Sequence, residues 1–370
     1  MIRVNQMLMK PEDNFSTCAT NNCSLIVEQK QVPVFQNKVF PTRPEALQAD
    51  KGKVELVQSD QSGFIFNRLF NPAIMNYDEN YQNEQGNSAV FRDHLNHVLD
   101  LLKSLGVANK KIVEIGSGKG AFFEMMLREG FDCTGYDPTY EGNNPRIIKD
   151  YFSSKYTGVN ADVIIMRHTL EHIPQPFSFI HTIAQANDYQ GFLFVEVPTF
   201  DWIAEKKSFW DVFYEHCNYF TENTLALMFG DATTGSLFGG QYIYLWADLS
   251  LLRPTILPQK VQRPDFSGMQ RNIDQSIEFI KSHPSIAVWG AGGKGSTYLN
   301  LIDPGRTLIN YVIDINPAKQ SRFIACTGHA IHSPQILDTD PVENILVMNE
   351  IYLPEIRETV GNHHIHLFNL

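Results

Sequence analysis

Residues 111–120 read KIVEIGSGKG, a short apolar run followed by glycine at 116, 118 and 120, and then by the helical stretch AFFEMMLRE. A strand that turns through such a loop directly into a helix must cross back over its own sheet. Its apolar character implies cover on both faces. The helix aims its free N–H groups and the positive end of its dipole at the bend. FDCTGYD (131–137), ADVIIMRH (161–168) and GFLFVEVP (191–198) predict further strands, with a helix from about Phe177 to Ala186 before the last. Upstream, Val90, Phe91, Leu95, Val98, Leu102 and Leu105 recur at three- and four-residue intervals and stop at Gly106, the pattern of an amphipathic helix with a glycine end. Apolar strands interleaved with helices predict an α/β fold built on a doubly wound parallel sheet.

At 370 residues the chain is long enough for two or three domains. Residues 1–75 carry Pro33, Pro41 and Pro44 and no long helical period, and read as short strands and turns of a small, mainly β domain. Residues 76–250 hold the glycine loop. Three prolines in 248–268 predict a linker. A helix at about 269–282 and a second strand–glycine–helix run, SIAVWGAGGKGSTYLNLI, then predict a C-terminal α/β domain over 251–370. The net charge of −11 argues against a sequence-independent grip on nucleic acid but leaves room for a local basic pocket. No apolar stretch approaches the roughly 20 residues of a membrane span, and the first residues lack a signal pattern. Five cysteines are too few and too scattered for a disulfide framework, so a cytoplasmic setting is expected.

The first loop predicts a cofactor site. Gly116, Gly118 and Gly120, with Ser117 between them, allow a tight turn and close approach of a ligand to the backbone. Asp137, followed by Pro138, ends the next strand 21 residues after Gly116, where a carboxylate can accept both hydroxyls of a ribose. The spacing also satisfies a dinucleotide fingerprint. Glu114, two residues before the first glycine, suits an ammonium-bearing ligand better than a pyrophosphate, which favours S-adenosylmethionine over a nicotinamide cofactor. Asp150, Tyr151 and Phe152 could hold an adenine, or form an ordinary turn with a core aromatic. Arg167 and His168 end a strand at the edge where such sheets bind ligands, or merely cap it.

A chemistry site is expected at Tyr214-Glu215-His216, set among Phe209, Trp210, Phe213, Tyr219 and Phe220. Apolar surroundings bring a histidine towards the range of a general base. His172, in RHTLEHI, falls over the same sheet edge.

EIGSGKG, RHTLEHI, EVP and YEHCNYFT, with FNPAIMNYDENYQNEQGNSAVFRDHL before them and IAVWGAGGKGSTYLNLI and VIDINPAKQSRF after, occur in one order. In this order the chain resembles the class I S-adenosylmethionine-dependent methyltransferases that add a methyl group to carbon on nucleotide-linked deoxy-keto-hexoses. The resemblance implies a base at His216 supported by Glu215, active-site roles for His172 and Tyr81, and a C-terminal domain that helps to hold a nucleotide-sugar. Phe213 departs from it, standing where the family has a tyrosine, which leaves the adjacent Tyr214 in doubt. It also implies a zinc-ribbon-like N-terminal domain, but only Cys18 and Cys23 are present; Ser59 and Ser62 stand in the second stretch, so the metal is expected to be lost. A sugar O-methyltransferase, a nicotinamide-dependent oxidoreductase and a non-catalytic relative are the alternatives. The second loop, WGAGGKGS, fails the P-loop test because Lys294 is the fourth residue after Gly290 rather than the sixth. Lys294 and Asp314 are candidate contacts for the substrate's nucleotide, and the chain is expected to act as a monomer or small homo-oligomer.

Overall fold

The structure is a computed structural model and describes residues 23–370 apart from 79, 362 and 370. Its centre is a seven-stranded sheet. The order across it is Ile147–Ile148, Asp132–Tyr136, Lys111–Ile115, Val163–Arg167, Phe192–Pro198, Tyr242–Asp248 and Thr233–Leu237. The first five strands are parallel, and the last two form an antiparallel hairpin on the edge. This is a class I methyltransferase architecture. The helices Ala89–Ser104, Ala121–Arg128 and Pro176–Ala186 lie where periodicity predicts them. Ser88 caps the first, its hydroxyl accepting from the Phe91 N–H at 3.3 Å.

Residues 23–70 differ from the expected short strands. Cys23–Pro33 and Lys51–Ser59 are long antiparallel strands. Two register shifts, at Leu25/Val27 and Gln29/Val32, break the alternation that would have revealed the longer one. Ile65–Asn67 extends this sheet, and Asn218–Tyr219, just past His216, completes it. The chemistry segment is therefore a strand of the N-terminal sheet. Cys23 pairs across the sheet with Ser59, whose hydroxyl accepts from the Gln61 and Ser62 N–H groups at 3.3 and 3.2 Å. Cys18 lies outside the described residues.

The proline-rich stretch is irregular but anchored, with the Gln259 N–H donating to the Gln61 carbonyl at 2.9 Å. Beyond Met269–Ser282 comes a five-stranded parallel sheet. Its order is Ile331–His332, Val312–Ile313, Ile286–Trp289, Asn344–Val347 and His366–Asn369. Val39–Phe40 of the N-terminal region pairs with Phe323–Ile324 of this part, so the small domain touches both larger ones. No helix among the described residues is long and apolar enough to cross a membrane.

Candidate active site

The carboxyl ends of the two parallel sheets open onto one cleft. It is lined by both glycine loops, by His172 and His216, by Tyr81 from the N-terminal side and by Lys319 from the C-terminal side.

Each parallel sheet builds its loop with the same latch. At the first, Asp137 accepts from the Gly118 N–H at 2.7 Å with one carboxylate oxygen, and from the backbone and hydroxyl of Thr139 at 2.7 Å with the other. At the second, Asp314 accepts from the Ala291 N–H at 2.7 Å and from the Asn316 N–H at 2.8 Å. Gly116 is required at φ +83, because a Cβ there would lie 2.0 Å from Thr169 Oγ1. Gly118, at φ +56, faces open space, with nothing within 4 Å of a Cβ. The loop is thus closed behind and open towards the cleft, where Glu114, Ser117, Arg167 and His168 also emerge. Gly120 is the N-cap of the Ala121–Arg128 helix.

Glu114 is almost fully buried, which pushes its carboxyl up to about 7 against the opposing charge of Arg167. Its Oε2 has no hydrogen-bond partner, nor has Arg167 Nη2. Arg167 Nε donates to Glu196 at 2.6 Å, and its guanidinium lies 4.4 Å from the Phe122 ring centre. Glu196 also meets His94 at 2.6 Å. Burial works against its charge, but Arg167, His168 and His94 hold it well below the usual carboxylate range. His168 stands between Glu171 and Glu196, 3.6 Å from each. Burial disfavours its charge as well, yet the two carboxylates outweigh it and lift the imidazole to about 9.

Asp137 and Pro138 are not on the cleft lining, and a ribose would have to share Asp137 with the loop. Asp150 is engaged by Lys155 and by the Tyr156 hydroxyl, Tyr151 is exposed, and Phe152 is buried edge-on to Tyr136 and stacked on Tyr156. The ring of Phe152 is therefore in the core, and Tyr151 is the exposed aromatic of the three.

His172 and His216 meet edge to face, with ring centres 4.8 Å apart. His172 Nδ1 lies 3.0 Å from the Glu215 carbonyl. A carbonyl only accepts, so Nδ1 carries a hydrogen and Nε2 is the nitrogen left for another contact. His216 packs against Phe213, and no described residue hydrogen-bonds its ring. Burial, then the charges of His172 and His168, hold it well below the ordinary histidine value, so it is neutral and basic at its free nitrogen. Glu215 is not beside that imidazole. Its oxygens accept from the Gln36 N–H at 3.1 Å and the Tyr81 hydroxyl at 2.7 Å, so it orients Tyr81 and, through its carbonyl, His172. Tyr214 turns away. Its ring packs on Gly52 and Phe70, and its hydroxyl accepts from the Asn71 N–H at 3.0 Å, placing it in the core of the N-terminal sheet.

Lys294 is on the cleft but paired with Asp211 at 2.7 Å. Sequence reasoning missed Lys319, which is 5% exposed and bonded only by neutral oxygens, the Ala291 carbonyl at 3.2 Å and Asn37 Oδ1 at 3.4 Å. It also missed Glu171, which precedes His172 in a short turn, and Glu196, which meets Arg167 and His94 only across the fold.

Residues 75–232 match the model of a methyltransferase domain, and residues 267–364 that of a C-methyltransferase C-terminal domain. The chain is 23% identical over 304 residues to C-methyltransferase NovU of Streptomyces niveus, covering 71% of this chain and 72% of that protein. It is 30% identical over 118 residues to a ubiquinone biosynthesis O-methyltransferase of Photorhabdus laumondii, covering 27% of this chain and 47% of that protein. Among solved structures it is similar to the PH0226 protein of Pyrococcus horikoshii, at 12% identity and a TM-score of 0.38, over 47% of this chain and all of that one. The chain is a class I S-adenosylmethionine-dependent methyltransferase, in which a methyltransferase domain is continued by a C-methyltransferase C-terminal domain.

Proposed function

We propose that the protein methylates a carbon next to a ketone on a nucleotide-linked sugar, with His216 as the base. The observation that carries this reading is the shared cleft. The first glycine loop, the neutral His216 and the second glycine loop with Lys319 all face one space. The C-methyltransferase relative and C-terminal domain support transfer to carbon rather than oxygen.

The orphaned polar atoms fit the methionine end of S-adenosylmethionine. A zwitterion offers one ammonium and one carboxylate, and the loop offers one unpartnered acceptor on Glu114 and one unpartnered donor on Arg167. The ribose would share Asp137 with Gly118. The cosubstrate supplies an electrophilic methyl group. An unactivated sugar carbon cannot take it, but loss of a proton beside a ketone makes an enolate that can. His216 accepts that proton on its free nitrogen. Tyr81, whose hydroxyl hydrogen goes to Glu215 in the free enzyme, would turn that hydrogen from the carboxylate to the enolate oxygen. Lys319, buried and without a carboxylate partner, suits the nucleotide's phosphates better than the Asp211-bound Lys294.

The three units 1–75, 76–250 and 251–370 then divide the work into support of Tyr81 and His216, the methyl donor site and the nucleotide site, in a cytoplasmic enzyme. His216→Asn should abolish turnover while calorimetry shows unchanged S-adenosylmethionine binding. Near-wild-type turnover would remove His216 from the role.

A further inference from the structure

Among the described residues, two clusters bring two histidines and a glutamate within 4.8 Å of one another through their ligating atoms. The first, His94, His168 and Glu196, is already closed. Arg167 donates to Glu196 at 2.6 Å and His94 contacts it at 2.6 Å, so a cation there would displace a buried ion pair.

The second, Glu171, His172 and His216, is open. All three residues line the cleft. Glu171 is 2% exposed, and its Oε2 lacks any partner, a costly state for a buried carboxylate oxygen. His172 donates Nδ1–H to the Glu215 carbonyl, which fixes the ring and leaves Nε2 as its ligand atom. That is the outer-shell bond that orients histidine ligands in metal sites. His216 brings a second imidazole, edge to face with the first. Two imidazoles and one carboxylate with an open side are a ligand set for zinc or cobalt. Tetrahedral zinc at ~2.0–2.1 Å from each ligand needs the three atoms roughly 3.3 Å apart, within reach by rotamer adjustment of two half-buried histidines. His168 faces Glu171 from the other side, at 3.6 Å, and Glu196 is taken by Arg167, so Glu171 is the carboxylate that meets a cation here.

We infer that Glu171, His172 and His216 form a reversible binding site for a divalent zinc-type ion, whose occupation ties up the lone pair of His216 and stops turnover. The inhibition rests on the proposed role of His216 as base, whereas the binding does not.

The test uses the full chain and cobalt(II) as the probe, without substrate. Visible absorption should titrate to one equivalent in the micromolar range, with the bands of a nitrogen and oxygen site and no contribution from thiolate charge transfer at this site. Glu171→Gln and His216→Asn should each weaken that binding 10- to 100-fold. Melting curves with and without S-adenosylmethionine confirm that each variant is folded, and His216→Asn, a half-buried cleft residue, serves if Glu171→Gln does not fold. Binding only at millimolar cobalt, or folded variants that bind as tightly as the wild type, would overturn the site. In turnover assays zinc should inhibit and a chelator should restore activity. Tight binding with unimpaired turnover would refute the inhibition and the base assignment but leave the site.

Discussion

Glu114→Gln separates what the first loop costs the fold from what it does for the ligand. Glu114 is 2% exposed, and its carboxyl is raised from 4.5 to about 7. A carboxyl with a raised folded-state pKa holds its proton more tightly in the native protein than in the unfolded chain. Native stability therefore falls as pH climbs from about 4.5 to about 7, and then levels off. The difference corresponds to about 3 kcal/mol at pH 8 and less than about 1 kcal/mol at pH 5. Glutamine removes the ionisation, so the free variant should be more stable than the wild type at pH 8 and nearly equal at pH 5. S-adenosylmethionine should respond in the opposite sense. Loss of a charge-assisted hydrogen bond of about 1.5–3 kcal/mol weakens binding roughly 10- to 100-fold at pH 8. In the wild type, affinity should also fall as pH drops below about 7, because the ammonium needs the ionised carboxylate; in the variant it should be flat. Melting curves at the two pH values, with calorimetric titration across pH, read all three. A variant that is no more stable at pH 8 than at pH 5 relative to wild type, and that binds as well, would refute the reasoning.

The two loop glycines should fail differently. Gly116→Ala drives a methyl to 2.0 Å from Thr169 Oγ1 and should destabilise the protein by more than about 2 kcal/mol in denaturant melts. Gly118→Ala meets open space, so it should pay only the roughly 1 kcal/mol of a left-handed backbone, yet lose cosubstrate affinity because its methyl enters the cleft. Lys319→Met should raise the sugar-nucleotide KM at least tenfold with S-adenosylmethionine binding unchanged, and Lys294→Ala should raise it less; equal effects in steady-state kinetics would refute the preference for Lys319. The stability that His168 gains between Glu171 and Glu196 is complete below its unfolded value of about 6.5 and fades as pH rises through about 9, so a neutral His168→Gln variant should lose less stability over that window than the wild type.

The central sheet was legible because its strands are buried on both faces and bounded by glycines, so KIVEI, ADVIIMRH and GFLFVEVP stand out without context. The edge hairpin escaped notice although Ile243, Leu245 and Ala247 alternate with half-exposed partners in a clean two-residue period. The N-terminal sheet was misjudged because its bulges hide that same period and its fourth strand comes from residue 218, far along the chain. In the site, adjacency in sequence misled. Tyr214, Glu215 and His216 are consecutive, but the chain bends at Tyr214 and Glu215, sending Tyr214 into the core, Glu215 to Tyr81 and His216 to the cleft. Glu171 lies within RHTLEHI and Lys319 within VIDINPAKQSRF, but neither stands out there, and their meaning lies in burial, which only the packed structure supplies.

The most direct test of the account follows hydrogen exchange rather than methylation. A keto-sugar nucleotide incubated with the enzyme and S-adenosylhomocysteine in deuterated water should exchange the hydrogen on the carbon beside the ketone, and His216→Asn should slow that exchange at least a hundredfold while still binding both ligands. Exchange that proceeds equally in the variant would contradict the account.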